Sequence, residues 1–318
     1  MNIVITGCGG LQGSHLCEAL IAAGHTVVGY DNYSRGTYRA EFIHNQDLSI
    51  FCPSLKGTDV VYHLAAQVWG VAVAQTHNWE MLRHNMQVDM NVLHAAAEAG
   101  VRRVIYPSTA CIYPVEAQEH WDSILKEDAT WGGTQGQYGA EPNPESGYGW
   151  AKLMGEVLVG HYPLEHVIFR FFNVYGDGEN AGAGSHVIPE LIRKVLAAPP
   201  GGEMEVYGTG EQGRTFLHVD DAVRAYIAAM ECPSGSVMNC GDPSPVRISD
   251  LAEMICALDG RGVRPIYNQE RPTGVFGRTP DITRARSILG WEPQIHLSEG
   301  LKRVYQSYAK EKSWSVSH

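Results

Sequence analysis

Short apolar runs without polar alternation punctuate the first half of the chain: Ile3-Val4-Ile5, then 26–30, 59–66, 101–108 and 166–170. Such runs, rich in Val, Ile and Tyr, predict strands covered on both faces. Between them the period changes. Leu16, Leu20 and Ala23 recur at helical spacing, with Gly24 where a helix would stop, and 85–100 and 148–162 predict two further helices. Strand and helix alternating in this way predict an α/β fold on a doubly wound parallel sheet, with 166–170 as its last strand. After residue 175 the pattern loosens into Gly- and Pro-rich stretches at 177–184 and 197–203. Residues 1–175 therefore read as one domain, and 176–318 as mainly a smaller C-terminal α/β domain with some segments returning to the first.

Composition adds exclusions. A chain of 318 residues, 44% apolar and 19% charged, can bury a full core, and disorder is expected only at 310–318. A formal charge of −11 argues against a nucleic-acid binder, whose affinity rests on many Lys and Arg contacts to phosphate. Any phosphate bound here needs local devices. The seven cysteines are scattered, with no C-x-x-C pair, so neither a metal site nor a disulfide framework is expected, and a reducing cytoplasm fits. The longest apolar run, 60–74, is broken by His63 and Gln67, and no basic-plus-apolar leader opens the chain. Neither export nor membrane insertion is expected.

The first candidate chemistry is Thr6-Gly-Cys-Gly-Gly-Leu-Gln-Gly13, between the first strand and the first helix. Gly7, Gly10 and Gly13 allow a tight turn, a close approach to a pyrophosphate and close helix packing, while the helix N-terminus offers unpaired N–H groups. About twenty residues on, the second strand ends in Asp31, placed to accept from an adenosine ribose and to favour NAD over NADP, with Arg35 nearby. This is the opening of a Rossmann-type sheet. His63 reads as a satisfied core residue, and the small residues after it let a flat ring lie close.

Tyr148 and Lys152, four apart on a predicted helix, share one face. A phenol has an ordinary pKa of ~10, and a held cation lowers it by favouring phenolate, so the pair is a way to make a base of tyrosine. With 15 Tyr and 24 Lys plus Arg in the chain, such a spacing also arises by chance. Its meaning comes from its company.

That company is Thr6-Gly-x-x-Gly-x-x-Gly13, Asp31, His63-Leu-Ala-Ala66, Ser108-Thr109, Tyr148-x-x-x-Lys152, Arg170-Phe-Phe-Asn-Val-Tyr-Gly176 and Leu289-Gly-Trp-Glu-Pro293. In this order, over nearly the whole chain, the set resembles the extended short-chain dehydrogenase/reductase family, NAD-dependent enzymes that modify nucleotide sugars. The resemblance implies NAD held by Gly7, Gly10, Leu11, Gln12, Gly13, Asp31, Asn32, Asp47, Leu48, Leu64, Ala65 and Ala66, with Tyr148 and Lys152. It implies Tyr148 as base, Lys152 lowering its pKa and holding the nicotinamide ribose, and Thr109 orienting the substrate hydroxyl. It also implies a nucleotide-diphosphate-sugar substrate, and a homodimer through a four-helix bundle using 85–100 and 148–162.

The residues after Thr109 separate reactions within that family. Dehydratases of the 4,6 type carry Asp-Glu there and UDP-glucuronate decarboxylases carry Glu at the second position, whereas this chain has Ala110 and Cys111. The segment Ser108-Thr-Ala-Cys-Ile-Tyr-Pro114 instead resembles that of GDP-mannose 3,5-epimerases, whose Cys is an acid/base at the sugar. So do Glu141-Pro-x-x-x-Ser-Gly-Tyr148 and Gly274-Val-Phe-Gly-Arg278 with Asp281. Their opposing Lys falls here at His186, a departure. Cys and His, with ordinary pKa values of ~8.5 and ~6.5, can each give and take protons near neutrality. The implied substrate contacts are Thr109, Ala110, Cys111, Asn173, His186, Lys194, Gln212, Arg214 and Arg278. The rival readings are a UDP-hexose 4-epimerase, which needs only Thr109, Tyr148 and Lys152, and an NAD-binding regulator without turnover.

Overall fold

The computed structural model describes residues 1–70, 73, 76–129, 142–179 and 184–316, with side chains as far as Lys310. Glu141, one of the positions of the 3,5-epimerase likeness, lies outside the described residues. The apolar runs form a seven-stranded sheet in the order Ser236–Cys240, Glu165–Phe171, Arg103–Thr109, Val60–His63, Asn2–Thr6, Thr26–Asp31, Ile43–Asn45. Every pairing in it is parallel. Strand order reverses between Asn2–Thr6 and Val60–His63, so the crevice at their carboxyl ends, beyond Thr6 and His63, is where such sheets bind ligands.

Three expectations need correction here. The last strand is Ser236–Cys240, which returns from the C-terminal part and pairs with Glu165–Phe171. The second helix begins earlier than the apolar pattern indicated, at Asn78, and runs to Glu98. The short edge strand Ile43–Asn45 was not foreseen, and the C-terminal helix continues through Val316, into the stretch expected to be disordered. Among the described residues no helix is long and apolar enough to cross a membrane.

The strand Gly213–Arg214 lies between Val246–Arg247 and Gly277–Pro280, and Ile124–Leu125 of the N-terminal half completes that second sheet. Its register sets Arg214 directly opposite Arg278. A separate apolar cluster joins Ile188, Leu191, Leu251, Ile255 and Leu301 to Met204 and Val206, while the main sheet is covered on one face by the helices Leu11–Ala22 and Val219–Ala228 and on the other by Asn78–Glu98 and Gly147–His161. Trp291 fastens the C-terminal part: it is buried, its indole N–H donates to Asp221 O at 3.0 Å, and the Asp221 carboxylate accepts from the N–H groups of Gln294 and Ile295. Burying an aromatic body with its polar handle satisfied makes this a firm clamp.

Candidate active site

The cofactor end is shaped by backbone. The chain turns after Thr6 at Gly7, whose φ is +70°, and Gly7 N–H donates to Tyr30 O at 2.7 Å. A Cβ on Gly7 would stand 2.7 Å from Ala65 N, and one on Gly13 2.3 Å from Gly7 O, so neither position accepts a side chain without backbone movement. Helix Leu11–Ala22 starts at Gly10 with no side-chain cap, which leaves its first N–H groups for an anion. The buried Asp31 carboxylate accepts from Gly9 N–H at 2.9 Å and Tyr33 N–H at 2.6 Å, so it shapes the glycine loop as well as the cavity wall. Burial raises the Asp47 carboxyl, but the hydrogen bonds from Ser49 outweigh it and hold it below its ordinary value.

One cavity of about 850 Å³ runs from this loop to the second sheet. Every residue assigned above to cofactor or substrate lines it except Ala110. Ala110 is a correction: it is buried in an apolar cluster with Ile112 and Tyr113, because the strand bends there into a turn of 3-10 helix that faces it inward. That turn is capped by Thr109, whose Oγ1 accepts from Cys111 N at 3.2 Å.

Tyr148 and Lys152 sit in the helix Gly147–His161, which Ser146 caps by accepting from Gly149 N–H at 3.3 Å. Burial pushes the Tyr148 phenol above its ordinary pKa, the neighbouring Cys111 and Asp89 push the same way, and only the Thr109 hydrogen bond opposes them. Lys152 is buried with its Nζ 4.3 Å from the centre of the Tyr106 ring and without a hydrogen-bond partner among the described residues. Its ammonium thus lies on Tyr106 and leaves the phenol of Tyr148 raised. Burial lowers the Lys152 pKa, against which Asp89 and Glu156 work.

At the other end, Cys111 is the one cysteine of the seven that is not buried. Arg278 Nη1 reaches its Sγ at 3.3 Å, Arg278 Nη2 is 2.6 Å from Glu145 Oε2, and Arg278 Nε donates to Gln118 Oε1 at 2.6 Å. Burial lowers the Arg214 pKa to about 10, and Arg278 opposite adds to this. Burial works against the Glu145 charge too, but Arg278 overcomes it and holds the carboxyl low. His186, half-exposed in the cavity, is paired through Nδ1 with Glu179. Partial burial lowers its pKa, and the Glu179 carboxylate more than reverses that, leaving it raised.

Lys194 is held by partners of its own. It lines the cavity, but its Nζ is 3.0 Å from Glu205 O, 3.1 Å from Glu190 Oε1 and 4.0 Å from the Tyr207 ring centre, so its donors are engaged within the protein. The neighbouring Arg193, which sequence reasoning passed over, lines the cavity with an exposed side chain. Glu145, Gln118 and Glu179 were also missed. The acidic residue three before Tyr148 was a visible signal for Glu145; Gln118 carries none.

Residues 3–241 match the family model described as NAD dependent epimerase/dehydratase family. The chain belongs to that family. It is an NAD-dependent enzyme of nucleotide-sugar chemistry. GDP-mannose 3,5-epimerase 1 of Oryza sativa subsp. japonica is 31% identical over 99% of this chain and 85% of the rice protein. UDP-N-acetyl-alpha-D-glucosaminuronate decarboxylase of Bacillus cytotoxicus is 32% identical over 95% of this chain and 96% of its own. The structure of UDP-glucose 4-epimerase from Thermotoga maritima with UDP-glucose superposes with a TM-score of 0.85 at 29% identity, covering 98% and 100% of the two chains. Three different reactions stand at nearly equal distance, so overall identity does not choose among them. The residues fit NAD: the side-chain-free cradle at Gly7 and Gly13, the Asp31 carboxylate and the Lys152 ammonium, which has no hydrogen-bond partner among the described residues, all face one cavity.

Proposed function

We propose that this enzyme inverts carbon centres of a nucleotide sugar through a transient 4-keto sugar, and that it is a 3,5-epimerase of a GDP-mannose-like substrate. The observation that carries the reading is Cys111: its sulfur opens into the cavity beside Tyr148, with the Arg278 guanidinium on it. A small buried hydrophobe in that place would need neither the opening nor the cation. NAD, held by the glycine loop, Asp31 and Lys152, would supply the reversible hydride acceptor for C4. Tyr148 takes the C4 hydroxyl proton, Thr109 orients that hydroxyl, and Lys152 donates to the nicotinamide ribose. The ketone acidifies the protons on C3 and C5, because the carbanions delocalise as enolates. Cys111 and His186 exchange those protons across the ring, one taking while the other gives, with Glu179 orienting the imidazole. Arg193, Arg214 and Arg278 supply positive charge for the diphosphate and sugar oxygens.

A 4-epimerase of a UDP-hexose is the second reading, favoured by the close superposition on the Thermotoga maritima enzyme. It uses Thr109, Tyr148 and Lys152 alone. We also read a cytoplasmic homodimer through the helices Asn78–Glu98 and Gly147–His161, whose surfaces expose Trp79, Met90 and Val157. The deciding experiment incubates the enzyme with GDP-, UDP-, dTDP- and CDP-sugars in D2O and follows the products by NMR. Deuterium at C3 or C5 is the expected outcome; inversion at C4 without deuterium overturns 3,5-epimerisation in favour of the 4-epimerase.

A further inference from the structure

Beneath the cofactor crevice lies a closed polar chain that the reaction above does not use. Ala65 N–H donates to Thr6 Oγ1 at 3.1 Å, Thr6 Oγ1 is 2.7 Å from His63 Nδ1, and His63 Nε2 is 3.0 Å from Asp89 Oδ1. Tyr106 O–H donates to the other oxygen, Asp89 Oδ2, at 2.6 Å. With the His63 hydrogen on Nε2 and the Thr6 hydroxyl donating to Nδ1, every link has one donor and one acceptor. Thr6, His63, Asp89, Tyr106 and Lys152 are all buried, and the Lys152 ammonium lies over the Tyr106 ring, 4.3 Å from its centre.

A buried ammonium needs a counter-charge, because taking an ion out of water costs several kcal/mol. The charged and titratable groups facing Lys152 are Glu156 on its own helix, Asp89 from the helix Asn78–Glu98, Tyr106 from the strand Arg103–Thr109 and His63 behind Asp89. Glu156 is committed elsewhere, in a two-pronged pair with Arg170: Arg170 Nε to Glu156 Oε1 at 3.0 Å and Arg170 Nη2 to Glu156 Oε2 at 2.8 Å. Asp89 is the carboxylate left for Lys152. Tyr106, donating its hydroxyl to that carboxylate, turns an electron-rich face to the ammonium. Space for the pair is made by Gly155, where a Cβ would stand 2.4 Å from Asp89 Oδ2 and still closer to Tyr106 Oη.

We propose that Asp89 is a positioning residue for the redox step: with Tyr106 between them, it is the buried counter-ion that keeps the Lys152 ammonium charged and aimed at the cofactor. The role rests on Lys152 serving Tyr148 and NAD, whichever sugar carbon is inverted, so its test stands apart from the D2O experiment. Burial and the Lys152 charge act on Asp89 in opposite directions, and the charge together with His63 wins, holding its carboxyl below the usual range.

The test follows the side-chain carbon resonance of Lys152 in lysine-labelled protein, assigned by its loss in Lys152→Met. In Asp89→Asn the Lys152 titration midpoint should fall by about 1 unit or more, the usual effect of removing a nearby opposite charge. In Tyr106→Phe, which keeps the carboxylate, it should move less. An unchanged midpoint in folded Asp89→Asn overturns the proposal. If Asp89→Asn fails to fold, the double variant Asp89→Asn/Lys152→Met decides. Two partners removed together leave no unpaired buried charge, so it should fold and melt above either single variant, whereas failure to fold, or additive losses, overturns the pairing.

Discussion

Arg278 Nη1 lies 3.3 Å from Cys111 Sγ while Arg278 Nη2 lies 2.6 Å from Glu145 Oε2, so one guanidinium ties the sulfur to a carboxylate three residues before Tyr148. The sulfur proposed to move protons is thereby held beside Tyr148. Cys111→Ala should keep the first half-reaction, seen as transient reduced nicotinamide absorbance on mixing with substrate, and lose solvent exchange at one sugar carbon by roughly 10²–10⁴-fold, the usual span for general acid–base groups. Exchange at the wild-type rate would remove Cys111 from the chemistry.

The glycine loop makes a contrast between two substitutions. At Gly13 an added Cβ meets Gly7 O at 2.3 Å, whereas Gly24, with φ +82°, has nothing within 4 Å. Gly24→Ala should cost about 1–2 kcal/mol through backbone strain and leave the stabilisation by NAD+ unchanged. Gly13→Ala should cost about 1–3 kcal/mol through overpacking and also lose most of the NAD+-induced rise in melting temperature. Thermal unfolding with and without NAD+ separates the two.

We propose that Asp31 sets the cofactor preference. Asp31→Ala removes the acceptor for Gly9 and Tyr33 N–H, and hydrogen bonds to charged groups are worth about 1.5–3 kcal/mol. NAD+ binding, measured calorimetrically, should weaken at least about tenfold, while NADP+ binding should weaken less because the repelling carboxylate is gone. A larger loss for NADP+ would contradict this reading.

What could be read from the chain follows a physical division. The glycine loop and Asp31 were legible because backbone geometry there allows few residues and fixes their spacing. The strand Ser236–Cys240 was not, because its partner Glu165–Phe171 is separated from it by the segments that build the second sheet. Tyr148 and Lys152 were visible as neighbours on one helix, but the charge environment was not, since Asp89 and Tyr106 come from other elements. A signal for Asp89 did exist: it lies on the same face as Asn85, Val88, Val92 and Ala96, a carboxylate on the buried stripe of a helix. Lys194 likewise has Glu190 four residues before it, a pairing that sequence alone offers as an alternative to phosphate.

Trp79, 64% exposed, is the most open large aromatic on the helix Asn78–Glu98. If that helix pairs with its copy, Trp79→Glu places a charge in the interface and should shift the sedimentation of the protein from dimer toward monomer, with the melting temperature of the monomer otherwise close to wild type. A wild-type distribution of species would place the interface elsewhere.

His186 and Glu179 give the pH dependence a sign. Glu179 holds the imidazole pKa above its ordinary ~6.5, against the burial that lowers it. A raised folded pKa adds stability at pH below the unfolded value, and that stability is lost as pH climbs through the folded pKa. Glu179→Gln removes the raising carboxylate, so the pKa of His186 falls. Acting as base, His186 makes exchange rise with pH through its pKa; acting as acid, it makes exchange fall there. In both cases the same substitution moves that limb of the pH–rate profile to lower pH. The profile of deuterium incorporation at C3 and C5 in Glu179→Gln and wild type checks it. A limb that stays in place in Glu179→Gln, but disappears in His186→Ala, would keep His186 in the reaction and remove Glu179 from its tuning.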